Sequence, residues 1–143
     1  MFLGTHSPRL DDKGRLVLPA KYRDGLAAGL VFTKGQERSI VVWPAHEFAD
    51  YSERLSVASR SDSAVRAYLR VLFSGATDEI PDKQGRVMIP TPLREYAGLE
   101  REVVVVGNGT TLEIWNSESW TRYLASQEDN FSDLSEEVIP GIL

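Results

Sequence analysis

The stretch DDKGRLVLPAKYR, from Asp11 to Arg23, occurs twice in this chain, and this repeat is the basis for predicting the fold. The second copy, DKQGRVMIPTPLR, runs from Asp82 to Arg94, at an offset of 71 residues. Five of the thirteen positions are identical (Asp, Gly, Arg, Pro and Arg), and three more are apolar in both copies. A repeat of this kind indicates that one supersecondary unit has been used twice.

The likeness between the two halves extends beyond these stretches. SIVVW at 39–43 matches TLEIW at 111–115, and aromatic residues follow both at the same spacing. A polar segment and a helical pattern of apolar residues separate the halves. We therefore expect four parts, which are a first repeat at 5–55, a linker and bridging helix at 56–75, a second repeat at 76–126 and an acidic tail at 127–143.

Each repeat predicts the same order of elements. The Asp-to-Gly stretch predicts a hairpin turn, in which the Asp side chain accepts backbone N–H bonds and the Gly supplies a positive φ. An alternating strand follows, and Pro19 or Pro90 then favours the first position of a short helix. A second strand pair, with the Asn108-Gly109 turn signal in the second half, and a helix complete the unit.

The size of one repeat predicts how the halves combine. About 50 residues bury too little apolar surface to be stable alone, so the halves are expected to share one core. The predicted fold class is α+β and rich in strands. We expect a small β-barrel with pseudo-twofold symmetry and flanking helices.

Composition gives no support to an enzyme or a metalloprotein. The 143 residues include no cysteine, so disulfides, thiolate metal sites and a cysteine nucleophile are excluded. The two histidines, His6 and His46, have no ligand partner at metal spacing, and no phosphate loop or serine nucleophile motif occurs. We expect no catalytic residue, metal, cofactor or small-molecule substrate. No apolar run reaches the roughly 18 residues of a membrane span, so no membrane partner is expected.

The charge is distributed unevenly along the chain. The net charge is −5, but five acidic residues and no basic residue lie from Gln127 to the C-terminus. The rest of the chain has 16 basic and 16 acidic residues, and residues 1–43 have seven basic against four acidic ones. Because electrostatic fields are screened within about 8–10 Å, this local excess of +3 matters more for binding than the total.

The duplicated D-x-x-x-R turn is the remaining chemical signal. In one interpretation each Asp pairs with its own Arg, as in many surface turns whose ion pairs contribute only about 0–1 kcal/mol. In the other, the arginines contact DNA, since guanidinium groups suit guanine edges and phosphates and a two-stranded ribbon fits the major groove. The candidate DNA-binding residues are Arg15, Arg86, Lys13, Lys83, Gly14 and Gly85, with Asp11 and Asp82 structuring the turns and Arg9 and Lys21 as further phosphate contacts.

Three quoted stretches also carry a family resemblance. MFLGTHSPRLDDKGRLVLPAKYR, DKQGRVMIP and LEIWNSESW resemble the MraZ family of bacterial transcriptional regulators, in the order and spacing of both repeats. That family is similar to the AbrB and MazE class of DNA-binding proteins, in which swapped hairpins of two chains interlock into a small barrel. Here one chain carries both units.

The resemblance implies several properties that composition does not show. It implies that the two D-x-x-x-R motifs form a DNA-contacting surface, and that several subunits assemble into a ring. It further implies binding to direct repeats in the promoter of a division and cell-wall gene cluster, repression of that cluster, and a cytoplasmic, nucleoid-associated location. The second motif has Lys83-Gln84 where the first has Asp12-Lys13, so we expect the first copy to make the stronger DNA contacts.

Two other classes of function remain open from the sequence. One is an antitoxin-like or other protein-interaction module with secondary DNA binding, for which the acidic segment 128–143 is the candidate binding segment. The other is a structural ring protein or an enzyme without a recognised motif.

Overall fold

The computed structural model describes residues 1–142, which contain eight strands and five α-helices. The strands are β1 Thr5–His6, β2 Arg15–Val17, β3 Leu30–Lys34, β4 Ile40–Pro44, β5 Thr77–Glu79, β6 Arg86–Met88, β7 Val103–Asn108 and β8 Thr111–Asn116. Six of them form one antiparallel sheet in the order β1-β7-β8-β4-β3-β5, and β2 pairs with β6 in a separate two-stranded ribbon.

The sheet order shows that the repeats exchange strands. β1 of the first repeat pairs with β7 of the second, and β5 of the second pairs with β3 of the first. The centre of the sheet is the β4–β8 pair, in which Ile40 lies opposite Ile114 and Val42 opposite Leu112. The order is therefore symmetric about this pair, as a pseudo-twofold axis requires.

The ribbon corrects the predicted hairpins. Each D-x-x-x-R turn was expected to join two strands of its own repeat. Instead, the strand after each turn pairs with the corresponding strand of the other repeat, with Leu16 opposite Val87 at its centre. The segment before the first turn also crosses over, since the Leu10 N–H donates to the Arg101 carbonyl at 2.9 Å.

The α+β, strand-rich class is confirmed, but the sheet is open and does not close into a barrel. Pro19 and Pro90 follow the ribbon strands closely and cap the next helical turns, so they precede those turns and do not occupy the predicted first position. Proline has a fixed φ and no N–H to donate, so it ends the strand pairing there. The ribbon consequently remains a short, separate layer beside the sheet.

Both repeats contribute to one hydrophobic core, as expected for halves of this size. The predicted alternation of the ribbon strands is confirmed. Leu16 and Val87 are buried, whereas Val17 and Met88 are 46% and 51% exposed. The ribbon thus has an inner apolar face against the core and an outer face toward solvent.

The helices are α1 Arg23–Leu26, α2 Ala45–Leu55, α3 Ser63–Ser74, α4 Thr91–Tyr96 and α5 Ser117–Ser132. The bridging helix α3 is capped by Asp62, whose side chain accepts the Ala64 N–H at 2.8 Å, and it buries Leu69 and Leu72. α5 continues to Ser132, so the first residues of the segment expected as an acidic tail are helical. Leu143 lies outside the described residues.

Candidate functional site

The first D-x-x-x-R turn is organised by its aspartate. Asp11 Oδ1 accepts the backbone N–H groups of Lys13 at 2.9 Å and Arg15 at 2.8 Å, and Oδ2 accepts Arg15 Nε at 2.7 Å. The Gly14 N–H donates to the Asp11 carbonyl at 3.0 Å, and Gly14 has a φ of +80°. The predicted turn chemistry is therefore present, with the glycine at a φ that other residues rarely adopt.

The second turn repeats this arrangement. Asp82 Oδ1 accepts the N–H groups of Gln84 and Arg86, both at 2.9 Å, and Oδ2 accepts Arg86 Nε at 2.8 Å. Gly85 has a φ of +76°. Although Lys83-Gln84 replaces Asp12-Lys13, the backbone and the aspartate–arginine pair are the same in both copies.

These hydrogen bonds keep both carboxylates ionised. Donation by the Arg15 backbone N–H is the largest cause that lowers the pKa of Asp11, and the Arg86 backbone N–H does the same for the pKa of Asp82. Each carboxylate in turn orients a guanidinium through Nε alone, which is one of the five N–H donors of that group. The two arginine side chains remain 40% and 43% exposed, so both are accessible at the surface despite the ion pair.

The ribbon register places both arginines on its outer face. Arg15 lies opposite Met88, and Val17 lies opposite Arg86. Residues directly opposite in an antiparallel pair point to the same side, and diagonal neighbours are about 7–8 Å apart. The outer face therefore presents two arginines on one diagonal and two exposed apolar side chains on the other.

Each turn is also covered by an arginine of the other repeat. A Cβ atom added to Gly14 would lie 2.5 Å from Arg94 Nη1, and one added to Gly85 would lie 2.4 Å from Arg23 Nε. Sequence reasoning missed Arg23 and Arg94 as part of the site. The available signal was that they are the last identical position of the repeated stretch, 71 residues apart.

The other predicted residues have separate surroundings. Lys13 and Lys83 are exposed on the two turns, beside the arginines. Arg9 Nε lies 3.4 Å from the Glu102 carboxylate, and Lys21 Nζ lies 5.6 Å from the centre of the Tyr22 ring. The structure thus brings the residues of the two turns together on one ribbon, whereas Arg9 and Lys21 have contacts of their own outside the turns.

The two histidines lie apart from the turns. His6 packs edge-on against Tyr22 with ring centres 5.2 Å apart, and His46 Nε2 lies 3.5 Å from a Glu47 carboxylate oxygen. Over residues 1–142, no group of three or more histidine or acidic residues is placed to hold a metal ion. In the same part of the chain, no helix is both long and apolar enough to cross a membrane.

Comparison with known proteins identifies the family. The sequence model of a family described as "MraZ protein, putative antitoxin-like" matches residues 1–71 of this chain and again residues 72–140. Proteins named "Transcriptional regulator MraZ" from Micrococcus luteus, Parafrankia sp. and Thermobifida fusca are each 58% identical to this chain. The alignments cover 99% of both chains for the first and 100% of both for the other two. With both repeats matched and this identity maintained over its whole length, the chain belongs to the MraZ family.

Proposed function

We propose that this chain is a transcriptional regulator that binds double-stranded DNA through the outer face of the β2–β6 ribbon. The observation that carries the proposal is the pair of equivalent, aspartate-anchored arginines on one exposed face. The relatives' shared name, which describes them as transcriptional regulators, supports the same class of function.

The geometry suits direct readout in the major groove. That groove is about 12 Å wide and admits a two-stranded ribbon. Because Asp11 and Asp82 each hold only Nε, the outer nitrogens of Arg15 and Arg86 are available for a bidentate contact with guanine or a phosphate. The exposed Val17 and Met88 side chains suit apolar contact with thymine methyl groups.

The residues around the arginines have supporting roles in this proposal. Lys13 and Lys83 neutralise phosphates on either side of the ribbon, and Arg9 and Lys21 are further phosphate contacts. Gly14 and Gly85 give the turns their shape, since each has a positive φ and is packed beneath an arginine of the other repeat. We keep the expectation that the first motif contributes more affinity, since residues 1–43 carry the local excess of +3.

The wider proposal concerns assembly and target. One chain presents one pseudo-symmetric ribbon, which suits one short box of DNA. Several chains in a ring would engage several direct repeats at once, and weak single contacts then add through effective concentration. The proposed target is the promoter of the chain's own division and cell-wall gene cluster, which it represses in the cytoplasm as part of the nucleoid.

A gel-shift titration with DNA from immediately upstream of this chain's gene tests the proposal. We expect binding that weakens steeply with salt and that depends on repeated boxes, with scrambled DNA of equal length bound more weakly. Arg15→Ala and Arg86→Ala should each reduce specific affinity by about 1–3 kcal/mol per lost base contact. Arg122→Ala is the matched control, because this exposed arginine lies on α5 and pairs with Glu118 at 4.0 Å.

Two results would contradict the proposal. Equal affinity for promoter and scrambled DNA would show that the ribbon reads no sequence. Wild-type binding by both ribbon variants would show that the aspartate–arginine pairs serve only to stabilise their turns.

An antitoxin-like interaction module is the second candidate. The observation that favours it is a C-terminal segment with exposed apolar side chains among its acidic residues, including Leu134, Val138 and Ile142. Truncation after Ser132, where α5 ends, separates the two functions. Promoter binding that survives this truncation supports the regulator, whereas a protein partner lost with the segment supports the module.

A further inference from the structure

We propose that Arg23 and Arg94 are positioning residues that hold the DNA-contacting turn of the opposite repeat, and that they hold the two turns unequally. This inference rests on the proposed function of the ribbon. It goes further because it assigns roles to two arginines outside the ribbon and explains how two similar motifs can read DNA differently.

Arg23 stabilises the second turn through contacts that connect it, Leu18 and Gly85. Its guanidinium lies directly over Gly85, in the space that a Cβ atom would occupy. Its Nε donates to the Leu18 carbonyl at 3.0 Å, and the Leu18 N–H donates to the Gly85 carbonyl at 2.8 Å. Leu18 is fully buried, so this end of the ribbon is fixed to the core.

Arg94 covers the first turn in the same way but with a different hydrogen bond. The Ile89 N–H donates to the Gly14 carbonyl at 2.8 Å, which matches the contact of Leu18 with the second turn. Arg94 Nη2, however, donates to Thr91 Oγ1 at 2.7 Å. Its Nε is buried and, among residues 1–142, has no hydrogen-bond partner.

We assign this asymmetry to one residue difference. The position of Thr91 is occupied in the first repeat by Ala20, at the same offset of 71. Alanine has no hydroxyl group, so Arg23 is free to donate to the strand carbonyl. In the second repeat the Arg94 guanidinium donates to the Thr91 hydroxyl instead. A buried N–H without a partner is unfavourable, so Arg94 holds its turn less firmly than Arg23 does.

The consequence concerns how the two arginines of the ribbon act. Arg86 belongs to the firmly held turn, so its guanidinium is preorganised and suited to discriminate bases. Arg15 belongs to the looser turn and can adapt to different contacts, including phosphates. The first motif then supplies affinity through its charge, and the second supplies more of the specificity.

The exchanged pair Thr91→Ala and Ala20→Thr tests this inference without altering any arginine. Amide hydrogen exchange measured by NMR on the free protein gives the first readout. In the wild type, we expect the Arg86 N–H to exchange more slowly than the Arg15 N–H. Thr91→Ala should slow exchange at Arg15, and Ala20→Thr should accelerate it at Arg86. Unchanged exchange at both turns in both variants would overturn the inference.

DNA binding gives the second readout, as the ratio of affinities for promoter and scrambled DNA. Ala20→Thr should reduce this ratio more than Arg94→Met does, and both should leave the slope of affinity against salt unchanged. A slope that falls by about one in Arg94→Met would show that Arg94 itself contacts a phosphate, and would overturn its positioning role. Arg94→Lys, which keeps the charge without the planar fork, should not restore the wild-type ratio.

These readouts separate failure of this inference from failure of the proposed function. A wild-type protein that does not prefer promoter DNA refutes the proposed function, while the exchange difference between the turns would still be measurable. A wild-type protein that prefers promoter DNA but whose exchanged variants behave as wild type refutes the unequal support of the turns.

Discussion

Replacing Gly107 by alanine should expel the N-terminal segment from the sheet. A Cβ atom at this position would lie 2.6 Å from the backbone carbon and oxygen of Phe2 and 2.6 Å from the backbone nitrogen of Leu3. These are backbone atoms, which cannot rotate aside as the end of a long side chain can. The Gly107 N–H also donates to the Gly4 carbonyl at 2.8 Å, so the two segments are held together at the point of overlap.

The contacts of Phe2 set the size of the effect. Its side chain is 7% exposed and packs edge-on against Tyr22, with ring centres 5.6 Å apart. Burial of a phenylalanine contributes about 1.5–3 kcal/mol. Two backbone hydrogen bonds join Phe2 to Gly109, at 2.7 and 3.0 Å, and each contributes about 0.5–1.5 kcal/mol. Complete expulsion should therefore reduce the free energy of unfolding by about 2.5–6 kcal/mol.

Urea unfolding of Gly107→Ala, Phe2→Ala and the double variant measures this effect. If Gly107→Ala acts by expelling Phe2, the double variant should be little less stable than Gly107→Ala alone, because the contacts of Phe2 are then already lost. A loss of less than about 0.5 kcal/mol in Gly107→Ala, within the range of surface substitutions, would refute the predicted overlap. Additive losses in the double variant would refute the proposed cause.

Two further predictions follow from other contacts. Gly85→Ala should lower the free energy of unfolding by about 1 kcal/mol more than Gly109→Ala does. Both glycines have a positive φ, but only at Gly85 does a guanidinium occupy the space that the new Cβ atom needs. Equal losses on urea unfolding would contradict that packing. Burial, aided by the hydrogen bond with Tyr51, raises the pKa of Tyr68 to about 12. The stabilisation that comes from this raised pKa is complete when the pH is below the ordinary tyrosine pKa of about 10. It is lost as the pH rises toward the pKa of Tyr68 in the folded protein. Unfolding free energies followed from about pH 8 to 11 should therefore fall more steeply in the wild type than in Tyr68→Phe, and parallel curves would contradict the effect.

The sequence predicted well what depends on local chemistry. Asp11 and its counterpart could be assigned as turn caps because a short carboxylate reaches the backbone N–H groups two and four residues ahead, whatever the rest of the chain does. The buried and exposed sides of β2 followed from the alternation around Leu16. The Asn108-Gly109 signal correctly located the connection between β7 and β8.

Pairing partners could not be predicted in the same way. Alternation determines which face of a strand is buried, but it does not determine which other strand pairs with it. The pattern around Arg15 is equally consistent with a local hairpin and with the observed pairing to the second repeat. For this reason the sheet is open where a small barrel was expected, although the predicted class and symmetry were right. The support of Gly14 by Arg94 depends on that pairing and was therefore also out of reach.

Strand exchange also explains why a fused chain can differ from two copies of one unit. Each turn is completed by groups of the other repeat, since Leu18 and Arg23 hold Gly85 while Ile89 and Arg94 hold Gly14. In a dimer of identical chains, symmetry would make both sets of contacts the same. In one chain each set can change separately, because a substitution at position 20 affects one turn and a substitution at 91 affects the other. Fusion thus preserves the spacing of the two arginines on the ribbon while it allows the rigidity of each to be adjusted independently.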